Sequence, residues 1–138
     1  MDSPPPGIYP LTMGEPQPAA RPCILLIEDS PVVGPFTADL LDELGFDVKG
    51  PAPNMASARE MVESDGFDAA LVDVHIRGER SFPLCDLLAA RQVPFAFTSG
   101  YADWNMPEKW VDRPRLQKPY TIDQVREMLD ALLSSRQP

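Results

Sequence analysis

From Cys23 onward, short unbroken apolar runs alternate with segments of helical periodicity, the pattern of repeated strand–helix–strand units. Residues 23–27 are apolar throughout, as a strand covered on both faces must be. Ser30 offers a helix cap and Pro31 suits a first turn. Phe36, Leu40, Leu41 and Leu44 then recur at helical spacing until Gly45 ends the run. Pro35 fits an early second turn badly, so the helix is expected to start a turn late or to be distorted there.

A weaker strand follows at 46–48 and stops at the proline-bearing stretch 50–53. Asn54 caps a predicted second helix with Ala58, Met61 and Val62 inward, ending near Asp65-Gly66. Residues 67–72 read as the third strand and 75–80 as a loop. Ser81 and Pro83 open a helix bearing Leu84, Leu87, Leu88 and Arg91, and 94–97 form the fourth strand. The 102–114 stretch, interrupted by Pro107 and closed by Pro114, has no clean apolar stripe and predicts a short or irregular helix. After the short run 115–117, Thr121 and Gln124 form a capping-box pair. They open a helix with Ile122, Val125, Met128, Leu129, Leu132 and Leu133 on one face. A doubly wound α/β fold with a five-stranded parallel sheet and helices on both faces follows.

Composition narrows this picture. The chain has 138 residues, 43% hydrophobic and 24% charged, enough for one domain with a core. Residues 1–22 hold seven of the 17 prolines and no apolar periodicity; 1–21 read as a disordered, Pro-rich tail and 22–138 as the folded domain. A formal charge of −9 argues against direct nucleic-acid binding. Cys23 and Cys85 lie in apolar runs without metal-type spacing and read as packing residues in a reducing compartment. No run approaches the ~20 apolar residues of a membrane span, and the N-terminus lacks a signal-peptide layout. The expectation is a cytoplasmic protein without membrane insertion.

The chemistry lies where the apolar runs end. The first ends in Glu28 and Asp29, the third in Asp73, the fourth in Thr98 and the fifth in Lys118. If these runs are neighbouring strands of one parallel sheet, their ends converge on one crevice. Three carboxylates about 5 Å apart repel by roughly 3 kcal/mol per pair at an effective dielectric near 20, and Lys118 offsets one charge only. A hard divalent cation relieves the rest, and an all-oxygen donor set suits Mg²⁺ better than Zn²⁺. Taken singly, each residue also reads as an ordinary cap, turn acid or chain break; their joint order carries the functional reading.

That order resembles the receiver domain of two-component response regulators. The resemblance covers about residues 22–135 and implies the flavodoxin-like strand order 2-1-3-4-5. It implies that Asp73 is the phosphoacceptor, and that Glu28, Asp29, Asp73 and the His75 backbone carbonyl form the Mg²⁺ site. Thr98 and Lys118 would stabilise the phosphoryl group, and the Lys118–Pro119 bond would be cis. The implied partners are a histidine kinase or phosphotransfer protein as donor and a downstream protein as target. No separate substrate is turned over, because a receiver promotes only its own phosphorylation and dephosphorylation. His75 and Gly100 would border the path of the hydrolytic water.

Two features depart from the common pattern. Arg115 stands three residues before the lysine, where receivers usually carry a switching Tyr or Phe. The run Pro94-Phe95-Ala96-Phe97-Thr98-Ser99-Gly100-Tyr101 is similar to the Phe-x-Thr-Gly-Tyr-like motif of a subgroup of single-domain receivers; Ser99 is an insertion-like departure if the alignment is set on Gly100, and an alternative hydroxyl to Thr98. Tyr101, Trp104 and Arg115 are therefore the switch candidates, with reordering of 100–113 in place of a ring flip. The rival readings are a pseudo-receiver that binds partners without being phosphorylated, a dehalogenase-type phosphotransferase and a flavodoxin-like carrier. The second lacks an acid at position 75, and the third lacks a phosphate-cradling loop.

Overall fold

The computed structural model describes residues 21–100 and 106–135. Its five-stranded parallel sheet comprises β1 (Cys23–Ile27), β2 (Asp47–Ala52), β3 (Ala69–Asp73), β6 (Phe95–Ser99) and β7 (Arg115–Gln117), in the order β2-β1-β3-β6-β7. A two-stranded hairpin, β4 (His75–Ile76) and β5 (Glu79–Arg80), rises between β3 and the next helix. Leaving the hairpin aside, this is the expected 2-1-3-4-5 order. Among the described residues the helices are α1 (Val33–Glu43), α2 (Met55–Glu63), α3 (Phe82–Ala90) and α4 (Ile122–Ser135).

Strand alternation divides the core in two. Leu25, Ile27, Ala70, Val72, Phe95 and Phe97 face α2 and α3 through Ala58, Val62, Leu84, Cys85 and Leu88. Ile24, Leu26, Ala69, Leu71, Ala96 and Leu116 face α1 and α4 through Leu41, Val125, Leu129 and Leu132. A central strand buried on both sides has no polar alternation to show, which is why 23–27 reads as one apolar run.

Helix α1 starts late, as Pro35 requires: it lies in the first turn, where its missing N–H costs nothing. The Ser30 hydroxyl accepts the Val32 and Val33 N–H groups and closes the turn before it. The inward face is Gly34, Thr37 and Leu41, so Phe36, one step off that face, is 53% exposed and not a core residue. Asn54, extended at φ −155°, accepts the Ser57 N–H and caps α2. Ser81, at φ −83° and ψ 5°, is not extended, and its hydroxyl makes no cap hydrogen bond to α3. Thr121 and Gln124 exchange the expected reciprocal bonds at the start of α4.

Three segments differ from the sequence expectation. Strand β2 does not stop before Gly50 but continues to Ala52, because Gly50 adopts φ +110° and the register against β1 slips between Leu25 and Ile27. The 75–80 loop is a hairpin, turned by Arg77 (φ 53°) and Gly78 (φ 81°). Among the described residues 106–114 there is no helix. Trp110 is instead buried against Phe95, ring centroids 5.5 Å apart, with the Arg113 guanidinium 4.2 Å over the Phe95 ring. Lys109 ties this segment to Asp86 of α3 at 2.7 Å.

At the other end, Arg21 donates to the Asp42 carbonyl in the last turn of α1 at 3.1 Å and to the Gly45 and Phe46 carbonyls just beyond it at 3.0 and 2.9 Å. No described helix is long and apolar enough to cross a membrane.

Among the described glycines, Gly50 has the least room for a side chain. A Cβ there would lie 2.5 Å from the Leu26 carbonyl oxygen and 2.9 Å from the Ala52 nitrogen, whereas one at Gly45, also at positive φ, meets nothing within 4 Å. Gly50→Ala is expected to lower the unfolding free energy by about 2–4 kcal/mol and Gly45→Ala by about 1 kcal/mol. Urea denaturation of the two variants checks this; equal losses would contradict it.

Candidate functional site

The carboxyl ends of β1, β3, β6 and β7 meet at one edge of the sheet, and the polar residues predicted there come together. One carboxylate oxygen from each of Glu28, Asp29 and Asp73 lies within 4.8 Å of the other two. The Lys118 Nζ stands 2.7 Å from Glu28 Oε1 and 2.8 Å from Asp73 Oδ2. Glu28 is 2% exposed and Asp73 5%, so their charges sit in protein rather than in water.

Each side chain is held by its own local structure. Glu28 Oε2 accepts the Ser30 N–H, so the residue that closes the turn before α1 also orients the acid. The Arg77 N–H, presented by the hairpin turn, donates to Asp29 Oδ2 at 2.8 Å, and the Arg77 Nε reaches the Pro53 carbonyl at 3.2 Å. In the sequence only the Arg77-Gly78 turn pair inside 75–80 points to this contact. The His75 N–H faces Asp73 Oδ1 at 3.4 Å from β4. Thr98 is the register partner of Asp73 and shares its face, while Ser99 pairs with Gln117 and points to the other face. Of the two hydroxyls, Thr98 is thus the one beside Asp73.

The Lys118 N–H donates to the Ser99 carbonyl at 2.8 Å, and the Lys118–Pro119 bond is cis. Arg115 is exposed at the start of β7, so this position carries no inward aromatic ring. Tyr101 and Trp104 lie outside the described residues.

Burial pushes the Asp73 carboxyl up to about 6; the Lys118 hydrogen bond opposes this and the Glu28 charge reinforces it. Burial acts to lower the Lys118 ammonium, but hydrogen bonds and charges from Asp73 and Glu28 outweigh it and leave Lys118 raised. Glu28 Oε1 is buried with the Lys118 charge beside it but makes no hydrogen bond of good geometry. A buried carboxylate oxygen in that condition keeps a lone pair for a cation.

These residues fit a hard divalent ion. They offer oxygen donors only, one ammonium against three acids, and a spread close to the ~4.2 Å that opposite ligands of Mg²⁺ need.

No family profile and no curated protein matches the chain. Solved structures do. SdrG from Sphingomonas melonis Fr1 is 41% identical over 82% of this chain and 97% of its own, with a TM-score of 0.75. The Erythrobacter litoralis PhyR response regulator REC domain is 25% identical over 83% of this chain and 91% of its own, at 0.68. A response regulator receiver protein from Sinorhizobium medicae WSM419, at 23% identity, 85% and 98% coverage and 0.72, shares the fold. The chain belongs to the receiver-domain family of response regulators. A role in two-component signalling comes with that membership.

In this receiver the protonated form of Asp73 is favoured by folding, since its pKa rises from 3.8 to about 6. The associated stability is fully present below pH 3.8 and lost as pH climbs through about 6. Asp73→Asn, neutral at every pH, should therefore stabilise the metal-free protein by about 1–3 kcal/mol near pH 7.5, and by little below about pH 4. Urea titrations in EDTA at both pH values measure the difference; no gain near pH 7.5 would contradict it.

Proposed function

We propose that this receiver accepts a phosphoryl group on Asp73 from the phosphohistidine of a kinase or phosphotransfer protein and signals through protein contact. The observation that carries the reading is the Lys118 ammonium held between two buried carboxylates, one of them at the β3 end, with a third acid in reach. An Asp73 oxygen would attack the phosphorus, forming an acyl phosphate as the phosphorus–nitrogen bond to the donor imidazole breaks and that ring recovers a proton. Lys118, freed from part of its contact with Asp73, would follow the transferred oxygens, and Thr98 beside it would donate to another.

Asp29, Asp73 and the His75 carbonyl would hold Mg²⁺, with Glu28 direct or through water. When bound, Mg²⁺ would neutralise charge on the phosphoryl oxygens and favour ionised Asp73. Here the BeF3-activated conformation solved for SdrG is relevant, since that relative is 40% identical over 83% of this chain. A phosphoryl mimic is a practical probe.

A protein partner is favoured by the rim of the crevice. Val33, Phe36, Lys118, Pro119 and Tyr120 line one apolar cavity, and Val32 beside it is 74% exposed. A net charge of −9 disfavours a nucleic-acid target.

Incubation with acetyl phosphate and Mg²⁺, followed by intact mass, should add one phosphoryl group to the wild type. Asp73→Asn should gain none, and EDTA should abolish the wild-type gain. An unmodified wild type would favour a binding module that is never phosphorylated.

A further inference from the structure

One buried polar contact near the crevice is not needed to hold a metal or a phosphoryl group. The Thr37 hydroxyl on α1 and the Tyr120 phenol lie 2.6 Å apart, with Thr37 fully buried and Tyr120 7% exposed. Tyr120 is two residues beyond Lys118, and Thr37 is one helical turn beyond Gly34.

Gly34 is where α1 meets the acidic cluster: a Cβ there would lie 3.1 Å from the Pro51 side chain and 3.6 Å from the Glu28 Cγ. One face of α1 thus passes close to the Glu28 side chain at Gly34 and bonds the Lys118 segment through Thr37. On its other side, Lys118 is held by its N–H bond to the Ser99 carbonyl. The lysine stem is long and rotatable, so the place of its ammonium depends on where its backbone is anchored. A sheet bond on one side and the hydroxyl pair on the other supply two anchors.

The pair also lies within the field of the site. Burial raises the Tyr120 phenol, the bond to Thr37 opposes the rise, and the charges of Glu28, Lys118 and Asp73 all act on it. A Val and Phe at the same places would fill the space equally well, since a buried neutral hydrogen bond adds little net stability over an apolar pair. What the hydroxyls add is direction.

We infer that Thr37 and Tyr120 are positioning residues, whose hydrogen bond uses α1 to set the Lys118 ammonium against Glu28 and Asp73. This rests on the reading of Lys118 as the phosphoryl-stabilising cation. Phosphorylation then depends on two residues that touch neither the donor nor the metal.

The test uses the full chain with Thr37→Val, Tyr120→Phe, the double variant and Thr37→Ser. Two readouts are followed: the rate of acetyl phosphate labelling at saturating Mg²⁺, and the Lys118 ammonium resonance in ¹⁵N-lysine-labelled protein. Thr37→Val and Tyr120→Phe are each expected to slow labelling about fivefold, with the double variant no slower than either. Thr37→Ser, which keeps the hydroxyl, should stay within about twofold of wild type. The Lys118 resonance should shift or broaden wherever a hydroxyl is removed, and stay in place in Thr37→Ser.

Labelling at the wild-type rate in both hydroxyl-deleted variants, an equal loss in Thr37→Ser, or an unmoved Lys118 resonance would overturn the inference. If the wild type takes no phosphoryl group, the proposed function fails, and the resonance alone decides the positioning role. Tyr120→Phe keeps the ring, so a Thr37 variant that fails to fold still leaves one informative member of the pair.

Discussion

The Lys118 ammonium shared between Glu28 and Asp73 is the contact on which the site depends. Two carboxylates almost wholly removed from water repel each other, and burial alone disfavours both of their charges. One ammonium 2.7 and 2.8 Å from them makes the arrangement tolerable without neutralising it. With Asp29 in reach, the cluster retains an excess of negative charge, and Asp73 keeps a raised pKa despite its lysine partner. A site in this condition carries uncompensated negative charge that a second cation would offset.

The scaffold makes that contact possible by topology. Because β1 lies between β2 and β3, and β6 between β3 and β7, residues 45 and 90 positions apart in the chain end at one edge. Two apolar layers, one under α2 and α3 and the other under α1 and α4, hold the strands in place. The polar ends therefore have rigid roots. The 75–80 hairpin adds a fixture of its own, since it presents a main-chain N–H to Asp29 and joins the β2 end through the Arg77 side chain.

Legibility varied with the range of the interaction responsible. Strand β1, the Asn54 cap and the Thr121–Gln124 box were readable because a run of apolar residues or two side chains three apart suffice to specify them. Phe36 reads as a core residue by spacing, yet α1 is rotated so that Gly34 and Thr37 face inward, which only close packing on Pro51 and Glu28 requires. Gly50 and Pro51 read as a strand stop. In the fold a positive φ and a register slip carry β2 past them, because pairing with β1 outweighs local preference. Ser81 has the residue type of a cap but not the backbone angles, since its N–H closes the hairpin onto the Val74 carbonyl.

The stretch around Trp110 follows the same rule. A short or irregular helix is the sequence expectation there, but among the described residues 106–114 a Trp ring, an Arg and a salt bridge to α3 fill the space instead.

By itself the sequence determined the fold class, the strand order through its resemblance to receivers, and the identity of the clustered residues. The fold class and those residues follow from periodicity and from which residue ends each run, both properties of neighbours along the chain; the strand order follows from the resemblance alone. Only the tertiary structure decided that Lys118 bridges Glu28 and Asp73, that Thr98 rather than Ser99 shares the Asp73 face, and that Arg77 holds Asp29. Those are distances between segments far apart in sequence, and they exist only once both faces of the sheet have been packed.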